Sequence, residues 1–185
     1  METQRFDIEG LLLIKPKVFG DERGYFFESF NKKKFEEIIG YKVSFVQDNE
    51  SKSNYGVLRG LHFQRPPFTQ AKLVRVIEGK VLDVAVDLRK NSLTYGQYQS
   101  VILSSENKHQ FFVPRGFAHG FVVLSKTATF AYKVDNDYAP SHDSGILYNS
   151  ESLGVNWMID EESIKLSNKD IKLQTFTEYS ENALF

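Results

Sequence analysis

Apolar positions along the chain come in short runs, separated by glycines, prolines and brief polar stretches. Two β-branched runs, Leu73 to Ile77 and Val81 to Leu88, meet at Glu78-Gly79 and predict a hairpin, with Lys72 at its start. Leu11 to Val18 is apolar, but Pro16 cannot donate to a ladder, so an edge strand or an arm is expected there. Further strands are predicted at Tyr25 to Phe30, Val43 to Gln47, the run carrying His62, Gly96 to Leu103, Phe111 to Val113, Phe117 to Leu124, Thr127 to Val134 and Ile146 to Tyr148. Asp48 to Asn54 and Tyr138 to Gly145 read as polar loops, and Pro66-Pro67 as a forced turn. One helix is expected, capped by Asn31, running through Phe35, Ile38 and Ile39, and ended by Gly40. The tail from Ser150 is irregular, with a terminal helix expected near Ser167 and Asp170. Many short strands and little helix predict an all-β sandwich or barrel, and the lack of repeats or linkers predicts one domain over residues 1–185.

Composition narrows the partners. A net charge of -1 leaves no basic field for a nucleic-acid backbone. The chain has no cysteine, which excludes disulfides, thiolate catalysis and cysteine-type zinc sites. No apolar run approaches the ~20 residues a spanning helix needs, so no membrane role is expected. The segment Met1 to Asp7 lacks the apolar core of a signal peptide, and a cytoplasmic location is expected. Aromatics are abundant, with 16 Phe and 9 Tyr, which suits both strands and a subunit interface.

Candidate chemistry centres on histidine. His62 and His119 each sit in an apolar strand with glycines close by, whereas His109 and His142 read as solvated. Arg59 and His62 would face opposite sides of a regular strand. They share a site only if Gly60 marks a bulge or bend, or if Arg59 reaches round from the strand edge. Tyr132 lies in an apolar strand and is either a core ring or a functional hydroxyl. Asp83 and Asp87 lie on the face opposite Leu82, Val84 and Val86, facing either solvent or a polar cavity between sheets. Asp170 by itself reads as a helix cap or surface charge. A metal site on one strand face would need His-x-His, and this chain has His62-Phe63-Gln64, so no metal is expected.

Several segments together resemble the dTDP-4-dehydrorhamnose 3,5-epimerases, nucleotide-sugar enzymes with a cupin-like jelly-roll fold. The matching runs are Asp21-Glu-Arg-Gly-Tyr-Phe-Phe-Glu28, Gln47-Asp-Asn49, Leu58-Arg-Gly-Leu-His-Phe-Gln64, Gln70-Ala-Lys-Leu-Val-Arg-Val76, Gly79 to Arg89, Pro114-Arg-Gly-Phe-Ala-His-Gly-Phe121 and Leu166-Ser-Asn-Lys-Asp170. The resemblance implies that His62 is the base, oriented by Asp170, and that Tyr132 is the opposing acid. It implies Lys72 beside the sugar keto oxygen, with His119 lining the sugar pocket. It assigns the nucleotide to Arg23, Glu28, Gln47, Asn49, Arg59, Asp143 and Lys169, with Tyr138 stacked on thymine. Arg23 and Glu28 would come from a neighbouring subunit on an N-terminal arm, making a homodimer with shared sites. No cofactor is implied, because epimerisation beside a ketone needs no redox step. Three departures stand out: Asp143 where Glu is usual, Tyr148-Asn-Ser150 for Trp-Asn-Asp, and Trp157-Met for Trp-Pro. Alternatives are a single-centre epimerase on the same nucleotide sugar, a non-catalytic sugar-binding jelly roll, and a metal-dependent oxygenase, which Gln64 opposes.

Overall fold

The computed structural model describes residues 2–185 as two packed antiparallel sheets with two short helices. The first sheet has six strands in the order β1 (Glu2–Arg5), β2 (Leu12–Lys15), β10 (Gln110–Val113), β7 (Lys72–Glu78), β12 (Thr127–Val134) and β5 (Gln47–Asn54). The second has five, in the order β13 (Asp143–Gly145), β6 (Leu58–Gln64), β11 (Phe117–Val123), β8 (Lys80–Asp87) and β9 (Tyr98–Ser104). A separate hairpin of β3 (Phe19–Asp21) and β4 (Gly24–Phe26) projects from the body. The all-β jelly-roll sandwich expected from the sequence is the architecture found.

The core between the sheets includes Val74, Val76, Ala85, Phe111, Phe121 and Phe130. The C-terminal tail covers the outer face of the five-stranded sheet, packing Trp157, Phe176 and Tyr179 on Leu58, Phe63, Leu82 and Val86. Helix α1 (Lys32–Ile39) covers part of the other outer face through Phe35, which meets Leu12, Leu73 and Phe112. Its ends form as predicted: the Asn31 side chain accepts from the Lys34 amide, and Gly40 closes the helix at φ 84°.

Five expectations need correction. The runs flanking Gly79 do not form a hairpin: β7 and β8 lie in different sheets, and Gly79 is the corner between them. Its φ is +79°, and a Cβ there would lie 2.1 Å from the Thr127 carbonyl oxygen. Strand β2 is not an edge, since it pairs with both β1 and β10; Pro16 follows its last residue, and the arm begins beyond it. Val43 to Val46, expected as strand, is irregular, while the polar run Asp48 to Asn54, expected as a loop, belongs to strand β5. Its less exposed residues, Gln47, Asn49, Ser51 and Ser53, alternate with exposed Asp48, Glu50, Lys52 and Asn54. It is an edge strand whose inner face lines a polar cleft, so neither face needs apolar side chains. The strand expected at Ile146 lies earlier, at β13, leaving Ile146 a single bridge to Gln174. The terminal helix α2 (Phe176–Glu181) starts at a Thr175–Glu178 capping box, and the Asp170 region forms only a 3₁₀ turn.

Candidate active site

A cleft of about 370 Å³ opens between the sheets and gathers His62, Lys72, His119, Tyr132, Asp170 and Arg59, with Asn49 and Lys169 on its rim. An adjoining cavity of about 210 Å³ shares His62, Lys72, Tyr132 and Lys169 with it and adds Tyr138 and Asp143. His62, His119 and Asp83 come from the five-stranded sheet, while Lys72 and Tyr132 come from the six-stranded one. The two walls therefore present different chemistry to the same space.

Gly60 resolves the problem of Arg59 and His62. Opposite β6, the register on β11 moves from His119 to Phe121 while β6 moves from His62 to Arg59, so β6 carries one extra residue. That is a bulge, and it removes the strict alternation that would part the two side chains. Gly60 sits at φ +128°, where a Cβ would lie 2.6 Å from the Gly120 Cα. Gly120 is equally confined, its virtual Cβ lying 2.6 Å from the Arg59 carbonyl oxygen. The Arg59 guanidinium is anchored on the Ser53 hydroxyl at 3.2 Å.

His62 Nε2 lies 2.5 Å from Asp170 Oδ1. Ser167 donates to the other carboxylate oxygen at 2.6 Å and accepts from the Asp170 amide at 3.1 Å. Burial pushes the Asp170 carboxyl up, but the hydrogen bonds from His62 and Ser167 outweigh it and hold it below the usual carboxylate range. An ionised carboxylate only accepts, so Nε2 carries the imidazole proton and Nδ1 keeps a free lone pair. The dyad is nearly sealed on the acid side: the Asp170 side chain is 4% exposed and that of His62 28%.

Burial lowers the Lys72 ammonium to about 8, against partial support from the charges of Asp83 and Asp143. Burial raises the Tyr132 hydroxyl above its ordinary value, with the Arg59 charge opposing. That hydroxyl has no hydrogen-bond partner among the described residues. His119 is a second buried dyad, with Nε2 2.8 Å from Asp83 Oδ1, and burial lowers its pKa, keeping the ring neutral. Of the two readings of Asp83, solvent is excluded: it is fully buried between the sheets behind His119, which itself lines the cleft. Asp87 is also fully buried, held by Arg89, Ser92 and Thr94. His109 and His142, expected to be solvated, are half-buried but lie outside the cleft.

At the outer end, Asp143 Oδ2 accepts from the Tyr138 hydroxyl at 2.9 Å and from Lys169. Gln47 donates to Asn49 at 2.7 Å on the inner face of β5. Arg23 and Glu28 are not in the cleft of their own chain. Arg23 pairs with Asp21 on the projecting hairpin, and Glu28 with Lys34 and Asn31. Residue reading missed Asp83 as the His119 partner, Ser167 as the buttress of Asp170, and Ser53 as the anchor of Arg59. Only Ser167 carried a local signal, three residues before an aspartate it could cap.

The chain matches the family model described as dTDP-4-dehydrorhamnose 3,5-epimerase over residues 5–178. The chain belongs to this family. The enzyme of that name from Escherichia coli (strain K12) is 52% identical over 178 residues, covering 96% of each chain. A Legionella pneumophila epimerase solved in complex with dTDP-4-keto-L-rhamnose is 48% identical with a TM-score of 0.94, covering 99% of this chain and 96% of that one. A 3'-monoepimerase from Streptomyces bikiniensis, solved with dTDP-quinovose, is 30% identical with a TM-score of 0.91, covering 97% of this chain and 90% of that one. The high-identity relatives are thus named as epimerases of both centres.

Proposed function

We propose that this chain inverts carbons 3 and 5 of dTDP-4-dehydro-6-deoxy-D-glucose to give dTDP-4-dehydro-L-rhamnose, without a cofactor. The observation that carries the reading is a base held by a carboxylate on one sheet and a tyrosine hydroxyl on the other, bordering one cleft. The 4-keto group acidifies the protons on both neighbouring carbons. His62 Nδ1 takes one of them, and the electron pair moves into an enolate whose oxygen bears the charge. Lys72, charged below about 8, stabilises that oxyanion. Tyr132 then delivers a proton to the opposite face of the carbon, which inverts it, and the tyrosinate and imidazolium are reset through solvent. Asp170 keeps Nε2 protonated, so the free lone pair stays at Nδ1. His119, neutral and fixed by Asp83, offers an uncharged polar wall to the sugar.

Nucleotide binding falls to Arg59 for the diphosphate, with Gln47, Asn49, Asp143 and Lys169 around it and Tyr138 under the thymine. Arg23 and Glu28 complete the site from a second subunit. Their absence from the lining of their own cleft and the exposure of the hairpin support that assignment, as does the aromatic surface it carries. The whole chain then works as one epimerase domain in a cytoplasmic homodimer; no helix in the described residues is long and apolar enough to cross a membrane.

The single-centre reading uses the same base and acid, so only the product separates the two. Incubation with dTDP-4-dehydro-6-deoxy-D-glucose, followed by proton NMR of the product, should show inversion at both carbons. A product inverted at one carbon only would replace the proposal with the single-centre reaction.

A further inference from the structure

Gln64 has no part in the mechanism, yet it ends the strand that carries His62 and is 4% exposed. Its amide is almost fully used. Nε2 donates to the carbonyl oxygens of Phe68 at 2.7 Å and Asp137 at 3.0 Å, and Oε1 accepts from the Ala139 amide at 2.7 Å. The orientation of the amide is fixed by its partners, because a carbonyl can only accept and an N–H can only donate. Both donors are committed, so Gln64 is not free to bind a ligand. What it grips is the backbone on each side of Tyr138.

The same rung of the sheet grips Tyr138 a second time. Gln64 on β6 is the register partner of Asp143 on β13. Asp143 accepts from the Tyr138 hydroxyl at 2.9 Å and from Lys169. Tyr138 is otherwise 53% exposed, on a segment with no regular structure. An exposed ring on an irregular segment loses rotational and backbone freedom when it must meet a flat partner. Anchoring the backbone at both neighbours and the hydroxyl at the tip removes that freedom in advance.

We infer that Gln64 is a positioning residue: together with Asp143 it mounts Tyr138 as a pre-set platform for the nucleobase, so that it governs nucleotide affinity and leaves the proton chemistry to His62. The inference rests on the reading of Tyr138 as the thymine platform. It also gives a job to the amide found where a metal-binding strand would carry a second histidine.

The test is a double-mutant cycle on dTDP affinity, measured by calorimetry, with steady-state kinetics on the same proteins. Tyr138→Ala should weaken dTDP about tenfold, in line with the loss of one base–aromatic stack. Gln64→Leu should weaken dTDP by a similar factor and raise KM, with kcat held within about threefold. In the Tyr138→Ala background it should cost almost nothing further, since a mount without its platform has no effect on the ligand. Gln64→Glu keeps the acceptor for Ala139 but turns repulsive toward two carbonyls, and it should raise KM in the same way should the leucine variant fail to fold. Wild-type dTDP affinity in a folded Gln64 variant, beside weakened Tyr138→Ala, would overturn the role of Gln64 alone. So would an undiminished Gln64 effect in the Tyr138→Ala background. Unchanged affinity in Tyr138→Ala would instead remove the nucleobase platform on which the inference rests.

Discussion

In the proposed mechanism, which nitrogen of His62 acts as the base is decided by the side chain behind it. Asp170 stays ionised because His62 and Ser167 hydrogen-bond it, and an ionised acceptor fixes the proton on Nε2. Asp170→Asn should therefore scramble the tautomer and lower kcat about 10²–10⁴-fold, the scale of a lost general base. Affinity for dTDP, measured by calorimetry, should change little; a large loss of affinity with normal turnover would contradict the role. Lys72 gives a pH prediction with two opposite signs. Its folded pKa, about 8, lies below the ordinary 10.5, so the unfolded chain holds the proton more tightly. Stability should therefore rise between about pH 8 and 10.5, while kcat/KM falls over the same rise as the ammonium is lost. Lys72→Arg should abolish the alkaline fall in kcat/KM, because arginine stays charged there. A fall that persists unchanged in Lys72→Arg would assign it to another group.

Single elements carry the geometry, and the bulge in β6 matters most. Gly60→Ala would force a side chain into a positive-φ position and into the backbone of Gly120. It should cost about 2 kcal/mol or more of stability and raise KM by displacing Arg59. Thermal melts and kinetics of one preparation would test this, and unaltered values for both would show the bulge to be dispensable. A bulge at Gly60 was one of the readings open beforehand, since a strand with strict alternation cannot aim Arg59 and His62 at one place unless Arg59 reaches round the edge. Helix α1 was readable too, because Asn31 and Gly40 act within a few residues of the ends they cap. Strand β5 was not. Its periodicity is real, but both faces are polar, one toward solvent and one toward the cleft, so it lacks the apolar contrast that marks a strand. The supposed hairpin at Gly79 failed because a tight glycine turn and a sheet corner look alike locally. Distant strands, β12 beside β7 and β9 beside β8, decide between them. The dyad of His62 and Asp170 spans 108 residues of sequence, and only the resemblance to a family linked them before the fold did.

Across the whole molecule, the proposed assignment of Arg23 and Glu28 to a second subunit leaves the site of one chain incomplete on the nucleotide side. Phe19, Tyr25 and Phe26 on the projecting hairpin are 54%, 60% and 72% exposed, and the Arg23 side chain between them is 85% exposed. Apolar surface of that kind is costly in water and suits a permanent interface. Mixing Arg23→Ala with His62→Ala chains should restore part of the activity that each lacks. A two-fold mixed dimer with shared sites contains one site with both defects and one with neither. No recovery after demonstrated subunit exchange would return Arg23 to its own chain's site or exclude it from any. The central claim, however, concerns proton removal by His62 at two carbons, and it is tested most directly by deuterium exchange. In deuterated water with dTDP-4-dehydro-6-deoxy-D-glucose, the native protein should introduce deuterium at both carbon 3 and carbon 5. Folded His62→Ala should introduce it at neither beyond the uncatalysed rate. Near-native exchange in His62→Ala, or exchange at a single carbon in the native protein, would contradict the account.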